Sequence, residues 1–427
     1  MSDTGSFLRK FISNNFWVLI LVNSANVFNY LFYFVLGRSL SPDTYGVFNS
    51  LNALIAFFAA PMVVIQLTIA KFCSQMERVD TGLFSKISTM GLGLVASVLV
   101  GIAFLFLPTI ASFLKMEGHE IAIAIMLVVF GGTIMLSVPL GLLQGLRRFK
   151  AFGRLNVILS VTRFILVLIL VWGIGFGVKG AATSVLLAII LTLFMGYYHL
   201  KDISVVPGTR LQDGLFKKMI RYSVPTMVST GIIMGFFNLD IVMVRYYCEP
   251  FDSGMYAAAS VLGHVAYVLP AVLVTVLFPE VAYSQNAGET SRRVFVLSFL
   301  MTAALSFLVV IVCLFFSEEL LVLTYGAKYA GASQLLIYIS IAMIGLVLTN
   351  VFVIFGMAQS DFKFLWSLIF GMILFLVQVS CWHEFPLDIA RALIISSFTM
   401  LAGCFLWRSK QIYSSLVDIY RHHGLDH

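Results

Sequence analysis

Charge is what this sequence has least of. Only 27 Lys and Arg and 20 Asp and Glu stand among 427 residues, about 11%. Soluble domains carry roughly a quarter, and no water-facing surface can be covered this sparsely. Cysteine is scarce too. Cys73, Cys248, Cys313, Cys381 and Cys404 form no CxxC pair and no metal-ligand spacing, so buried free thiols are expected rather than a disulfide framework or a zinc site. No GxxxxGK[ST] is present, which removes a P-loop ATPase. His119-Glu120 and His383-Glu384 begin like a zincin motif, but neither is followed by the second His. No acidic cluster sits on a sizeable loop to hold Mg²⁺ for a glycosyltransferase. The longest connections, 201–221 and the stretch after Arg408, run to only about twenty residues. Nothing outside the apolar segments is large enough to house an active site, so no enzyme, no cofactor and no metal are expected.

What the chain does have is apolar length. Hydrophobic residues make up 60% of it, with 39 Phe and 18 Met spread evenly. They fall into runs of about 20 residues, the length an α-helix needs to cross a hydrocarbon core roughly 30 Å thick. Twelve such runs can be marked: 16–36, 46–70, 87–107, 121–143, 155–172, 180–200, 222–244, 255–276, 294–316, 332–355, 364–381 and 389–407. They are apolar on all sides, whereas barrel strands alternate in polarity over about 10 residues. The first run is too long for a signal-peptide core and lacks a small-residue cleavage site, so it reads as a span.

The basic residues supply the orientation. With the N-terminus in the cytoplasm, 20 of the 27 Lys and Arg fall on the cytoplasmic side and six outside, with Arg163 inside a span. This bias supports an even number of spans and cytoplasmic termini. It also accounts for the net charge of +7 without any nucleic acid. A multi-pass protein of the cytoplasmic (inner) membrane is expected. Its parts are a cytoplasmic segment 1–15, a six-helix bundle 16–200, a cytoplasmic linker 201–221, a second six-helix bundle 222–407 and a cytoplasmic tail 408–427.

The two halves echo each other at an offset of about 210 residues. Arg38, Pro42, Gly46, Pro61 and Ser74-Gln75 are answered by Arg245, Pro250, Gly254, Pro270 and Ser284-Gln285. Gly145 with Phe149-Lys150 is answered by Gly356 with Phe362-Lys363. An even-spanned unit duplicated in parallel keeps both copies in one orientation.

Polar groups within spans are costly and mark candidate sites. Asp240, in Phe237-Asn-Leu-Asp, is a candidate to bind a coupling cation or to titrate during transport; the alternative is a structural partner for an Arg or a backbone group. Arg163 sits about two turns into span five and is suited to an anionic group such as a pyrophosphate, because guanidinium binds phosphate oxygens in a bidentate fork. Its alternative is snorkelling to the headgroups. Arg38 and Arg245 close the outer ends of spans one and seven, as cavity-mouth residues or as interface anchors. His264, about ten residues into span eight, is a relay candidate or a hydrogen-bonded packing residue. Asn26, Tyr30, Asn52 and Asn238 offer donors and acceptors suited to sugar hydroxyls. Interhelical hydrogen bonds would produce the same pattern.

The stretch from Asp240 to Gln285 carries a family resemblance. It reads Asn-Leu-Asp-Ile-Val-Met-Val-Arg, then Asp252-Ser-Gly-Met-Tyr-Ala-Ala-Ala, Leu269-Pro and Leu277-Phe-Pro-Glu. Leu36-Gly-Arg-Ser-Leu-Ser-Pro-Asp-Thr-Tyr-Gly, Gln144-Gly-Leu-Arg-Arg-Phe and Tyr325-Gly-Ala-Lys-Tyr-Ala-Gly-Ala agree with it. The chain resembles polysaccharide exporters, the Wzx-type flippases of the multidrug/oligosaccharidyl-lipid/polysaccharide superfamily. The resemblance implies an all-α membrane fold of about twelve helices in two pseudo-repeated six-helix bundles around a central cavity. It implies outward movement of an undecaprenyl-diphosphate-linked glycan by alternating access. Arg163 would meet the diphosphate, with Arg38 and Arg245 the other cations available to the cavity. Asp240 and His264 would be coupling residues for a H⁺ or Na⁺ gradient. The implied partners are the lipid-linked oligosaccharide, membrane lipids, and glycan polymerase or chain-length machinery. Two rivals stay open: a cation-coupled multidrug or metabolite antiporter of the same superfamily, and a membrane-embedded glycan polymerase or ligase. Many such antiporters carry an acid in span one, and this span one has none. A polymerase or ligase would need a large external loop.

The orientation is directly testable. Reporter fusions at either terminus should both report the cytoplasm; a periplasmic signal from one of them would mean an odd number of spans.

Overall fold

A hydrocarbon interior offers no partner to backbone N–H and C=O groups, so a spanning segment must satisfy them within itself. The computed structural model of the protein describes residues 24–76, 78–203, 205–206, 214–271, 288–358 and 361–423, and among these every regular element is a helix. In chain order they are α1 (24–39), α2 (Pro42–Cys73), α3 (Arg78–Leu105), the short α4 (Leu107–Phe113), α5 (Glu120–Gly145) and α6 (Phe149–Val167). A π-helical turn, Leu168–Gly173, continues α6, and α7 covers Gly177–Tyr198. Next come α8 (Leu215–Tyr247), α9 (Pro250–Gly263), α10 (265–271) and α11 (Gly288–Tyr325). A 3₁₀ turn, Ala327–Ala332, leads into α12 (Ser333–Ala358), followed by α13 (Leu365–Cys381) and α14 (Pro386–His423).

Ten of the described helical stretches are long and apolar enough to cross a membrane, and α13 is a shorter apolar helix. With α1, each of the twelve expected spans falls on helix; the expected parts 16–23 and 272–276 lie outside the described residues. The chain is a multi-pass membrane protein. Several helices outlast the expected spans. The third span was expected from 87, yet α3 begins at Arg78. The last was expected to end at 407 with a tail beyond, yet α14 continues to His423. Hydropathy marks the part of a helix that matches hydrocarbon, while helical hydrogen bonding carries on through residues such as Asp80 and Lys86. In α11 the backbone kinks at Phe316, where the expected span ends.

The described chain divides into two compact units. The first holds residues up to Gly231 together with Glu249–Gly254 and Thr324–Gly326. Its packing rests on backbone approach. A Cβ on Gly141 would lie 2.7 Å from the Gln66 carbonyl oxygen, and one on Gly145 would lie 2.6 Å from that of Ala70. The Gly-x-x-x-Gly face of α5 therefore lies directly on α2, as small residues allow between helices in lipid. Gln66 Nε2 donates to Gln144 Oε1 at 3.3 Å beside this contact. Hydroxyls within spans close onto their own helices, as Thr68 does on Val64 O at 2.8 Å and Thr192 on Ala188 O at 2.7 Å.

Three of the sequence stretches quoted above meet at one place in this unit. Ser41 caps α2 by accepting from Thr44 N at 3.4 Å, with Pro42 in the first turn. A Cβ on Gly254 would lie 1.9 Å from the Pro42 carbonyl oxygen, and one on Gly46 would lie 2.9 Å from Gly254 N. The equivalent positions of the two halves, 46 and 254, thus pack on each other, with Ser50 Oγ 3.4 Å from Ser253 Oγ alongside. Tyr325 fills the remaining space: a Cβ on Gly37 would lie 2.1 Å from its ring, which stands 5.4 Å from Phe34 and 5.7 Å from Tyr45 between centroids.

The second unit holds Ile232–Cys248, Met255–Leu323 and the residues from Ala327 onward. A Cβ on Gly345 would lie 2.7 Å from Ser397 Oγ, and one on Gly403 would lie 2.3 Å from Ser367 Oγ, which itself donates to Met400 O at 2.6 Å. Phe295, Phe299, Phe352, Phe355 and Phe405 form one aromatic cluster, with the Arg408 guanidinium 4.7 Å from the Phe355 ring centre. Cys73, Cys248, Cys313 and Cys404 are buried free thiols, and Cys381 is exposed.

Overpacking a close-packed contact costs about 1–3 kcal/mol. Gly145→Leu should therefore lower the thermal midpoint of the purified protein, measured in detergent. Gly101→Ala, at a position with open space around it, should hold or raise it. Equal behaviour of the two variants would contradict the α2–α5 contact.

Candidate functional site

Among the polar side chains within spans, two constellations hold most of the candidate residues, one in each unit. In the first, α6 presents Arg163 to α1. Its guanidinium carbon lies 3.9 Å from the centre of the Phe32 ring and 5.4 Å from that of Tyr33. Arg163 Nε is buried and has no hydrogen-bond partner among the described residues. The cation is thus held by the negative face of a ring, a contact that orients it without neutralising it. Phe28 and Phe164 add a second ring contact along the same helices, 5.7 Å between centroids. Asn52, from α2, donates through Nδ2 to Tyr33 Oη at 3.1 Å, so an interhelical hydrogen bond ties that ring in place. Asn26 and Tyr30 lie on α1 two turns and one turn before Tyr33, both half-buried, with the Tyr30 ring 6.3 Å from Phe34.

Arg38 lies elsewhere in the same unit. It is exposed, and its Nε donates to Thr324 O at 2.9 Å. Its repeat equivalent, Arg245 in the last turn of α8, is only 2% exposed. Arg148 stands on the basic side, at the start of α6. It donates through Nη1 to Asp202 Oδ1 at 2.8 Å, through Nη2 to Asp202 Oδ2, and to His199 O at 2.6 Å. The Asp202 hydrogen bonds raise its pKa against the opposing effect of desolvation. Both side chains stay partly exposed, so the pair contributes at most about 1 kcal/mol and serves to close the α6–α7 end.

In the second unit the constellation runs along α8 and α9. Asp240 is fully buried and accepts from Tyr256 Oη at 3.0 Å. Its other oxygen, Oδ1, has no hydrogen-bond partner among the described residues. One turn nearer the start of α8, the Phe237 ring packs 4.6 Å from the His264 ring and 4.4 Å from Tyr267. His264 occupies the break between α9 and α10, and its Nε2 lies 3.1 Å from Ser260 Oγ. Asn238 donates to its own helix, Nδ2 to Met234 O at 2.8 Å.

Arg163 and Asn52 therefore share one locality through Phe32 and Tyr33, and Asp240 and His264 share another along α9. Arg38 stands apart from Arg163 on a different contact. Phe32, Tyr256 and Ser260 are among the contributors beyond the candidate residues expected from sequence. Tyr256, Ser260 and His264 are spaced four residues apart in an otherwise apolar run, a polar stripe legible at helical period. Phe32 had no such signal, being one of 39 Phe.

The sequence profile of a family described as polysaccharide biosynthesis protein matches residues 35–334. An uncharacterized membrane protein of Methanocaldococcus jannaschii is 24% identical over 311 residues, covering 68% of this chain and 71% of its own. The inward-facing conformation of a multidrug resistance MATE family transporter of the MOP superfamily superposes with a TM-score of 0.71 at 17% identity, over 93% of this chain and 98% of that one. The lipid II flippase MurJ in its inward closed conformation superposes with a TM-score of 0.75 at 13% identity, over 91% and 87% of the two chains. The expected all-α membrane fold of about twelve spans in two repeated halves holds, and it is the fold of MOP-superfamily transporters. Because the profile match extends over most of its length, the chain belongs to the polysaccharide biosynthesis protein family.

Proposed function

We propose that this protein carries an undecaprenyl-diphosphate-linked oligosaccharide across the cytoplasmic membrane by alternating access, for the assembly of an O-antigen, capsule or exopolysaccharide. Family membership supports the pathway, and sharing a fold with a lipid II flippase supports the kind of cargo. The observation that carries the reading is Arg163. A guanidinium seated on the Phe32 ring with a buried, unbonded Nε keeps its in-plane donors for an anion. Phosphate oxygens match that fork. Asn52, Tyr33, Tyr30 and Asn26 would meet the sugar nearby, and Asn238 is a further candidate for the sugar. Arg38 and Arg245 are further cations for the headgroup. The substrate must bind successive states with comparable affinity, since strong preference for one would trap it.

Transport would draw on a H⁺ or Na⁺ gradient, with Asp240 the coupling residue and His264 its neighbour along α9. A buried carboxylate with one oxygen bonded to Tyr256 and the other unpartnered among the described residues offers a cation or proton a place. The same group favours the second reading, a cation-coupled multidrug or metabolite antiporter. The termini would be cytoplasmic, and glycan polymerase or chain-length machinery would act on the product.

The test is flipping of a lipid-linked oligosaccharide by the purified protein in proteoliposomes, scored by enzymatic access to the sugar. A charge-assisted hydrogen bond contributes about 1.5–3 kcal/mol, so Arg163→Ala should slow flipping about tenfold or more. Arg163→Lys, which keeps the charge and loses the fork, should fall in between. Undiminished flipping by a well-inserted Arg163→Ala would remove the diphosphate role. In the same vesicles, Asp240→Asn should abolish the response of the flipping rate to an imposed ion gradient. An unchanged response would place the coupling elsewhere.

A further inference from the structure

Away from both constellations, the first unit contains a cavity of about 360 Å³ walled by α2, α3 and the first turns of α8. Its size falls in the range of small-molecule sites, roughly 300–1,000 Å³. Its wall is apolar, formed by side chains such as Ile69, Leu92 and Val224. The hydroxyls that reach it are already occupied. Thr68 Oγ1 and Ser223 Oγ lie 2.8 Å apart, and each also bonds a carbonyl of its own helix. Gly91 forms part of the wall with open space where its Cβ would be.

The rim has the opposite character. Lys71, one turn beyond Thr68, holds its ammonium 3.5 Å above the ring of Tyr222, the neighbour of Ser223. That contact fixes a cation at the edge of the cavity. Lys86 precedes the wall residue Ile87, and Lys217, Lys218 and Arg221 flank Met219 and Ile220; all four side chains are exposed. Against them, Asp80 is the acidic residue that these three helix ends carry among the described residues. An apolar cavity under a cationic rim is complementary to a lipid that joins an anionic head to a hydrocarbon tail.

We infer that the α2–α3–α8 cavity is a binding site for a single-chain lipid diphosphate, with the start of the tail in the cavity and the diphosphate on the Lys71–Lys86–Arg221 rim. The inference rests on the proposed cargo and adds a docking place for it on the basic side, separate from Arg163. Two features favour a lipid diphosphate over a membrane phospholipid. The cavity is small for paired acyl chains, and a rim of several cations matches a multiply charged diphosphate better than a singly charged head.

The experiment is equilibrium binding of undecaprenyl diphosphate, without glycan, to the full-length protein in lipid nanodiscs, with phosphatidylglycerol as competitor. Gly91→Leu places a side chain in open space at the cavity wall and replaces a helical glycine by a better helix former, so folding is preserved. It should weaken binding by about tenfold. Lys71→Ala combined with Arg221→Ala should do the same, while Gly101→Leu, also in open space on α3, should change nothing. Unchanged binding in Gly91→Leu overturns the cavity, and displacement by phosphatidylglycerol at comparable concentration overturns the diphosphate. Flipping measured in parallel separates this inference from the proposed function. A protein that flips glycan and binds normally with Gly91→Leu loses only the cavity site. One that binds the diphosphate at the cavity but flips no glycan keeps the site and loses the function.

Discussion

Hydrocarbon supplies no hydrogen-bond partner, and the architecture follows from that. Backbone groups are satisfied within helices, so the described chain is a succession of helices and tight connections. Helices in lipid gain nothing from hiding apolar surface from one another, so their association depends on close approach. Glycine is what permits it here. Gly141 and Gly145 bring α5 onto the α2 backbone, and Gly46 and Gly254 bring together the equivalent points of the two repeats. Polar side chains obey the same constraint by bonding their own helix, as Thr68 and Asn238 do, or a neighbour, as Asn52 and Tyr256 do.

Against that background the proposed site residues Arg163 and Asp240 keep unused bonding capacity. Arg163 in the first unit is held by a ring rather than by a carboxylate, and Asp240 in the second is held by a phenol rather than by a cation. In the first unit a half-buried cation, and in the second a buried carboxyl group, is oriented by an aromatic side chain that does not cancel it. Among the described residues, the bidentate pair of Arg148 with Asp202 shows the other outcome, a cation consumed by structure at a helix end.

The spans were legible because the property that defines them, about 20 apolar residues in a row, is a property of the sequence itself. Their ends were less so. At Arg78 and beyond Trp407 the helix outlasts the hydrophobic run, because helical hydrogen bonding does not stop where hydrocarbon does. The family motifs were legible as spacing, but their reason was not. That Gly37, Gly46, Gly254 and Tyr325 pack in one place depends on contacts across more than two hundred residues. Arg163 and Asp240 stood out as charges in apolar segments. Their partners did not, since a phenylalanine or a tyrosine in a membrane helix is unremarkable until it is seen which ring faces which charge. The cavity beside Gly91 had no sequence signal at all, because a missing side chain marks open space and close packing alike.

The proposed cargo is a lipid-linked glycan and not a soluble organic cation. That choice is tested most directly by presenting both to the same vesicles, with the glycan lipid on one leaflet and an amphipathic cationic dye on the same side. A flippase of this kind should give protein-dependent appearance of the sugar on the far side and dye movement no faster than in protein-free vesicles. Dye transport driven by an ion gradient, with the sugar left where it started, would contradict it and assign the buried carboxylate to an antiporter.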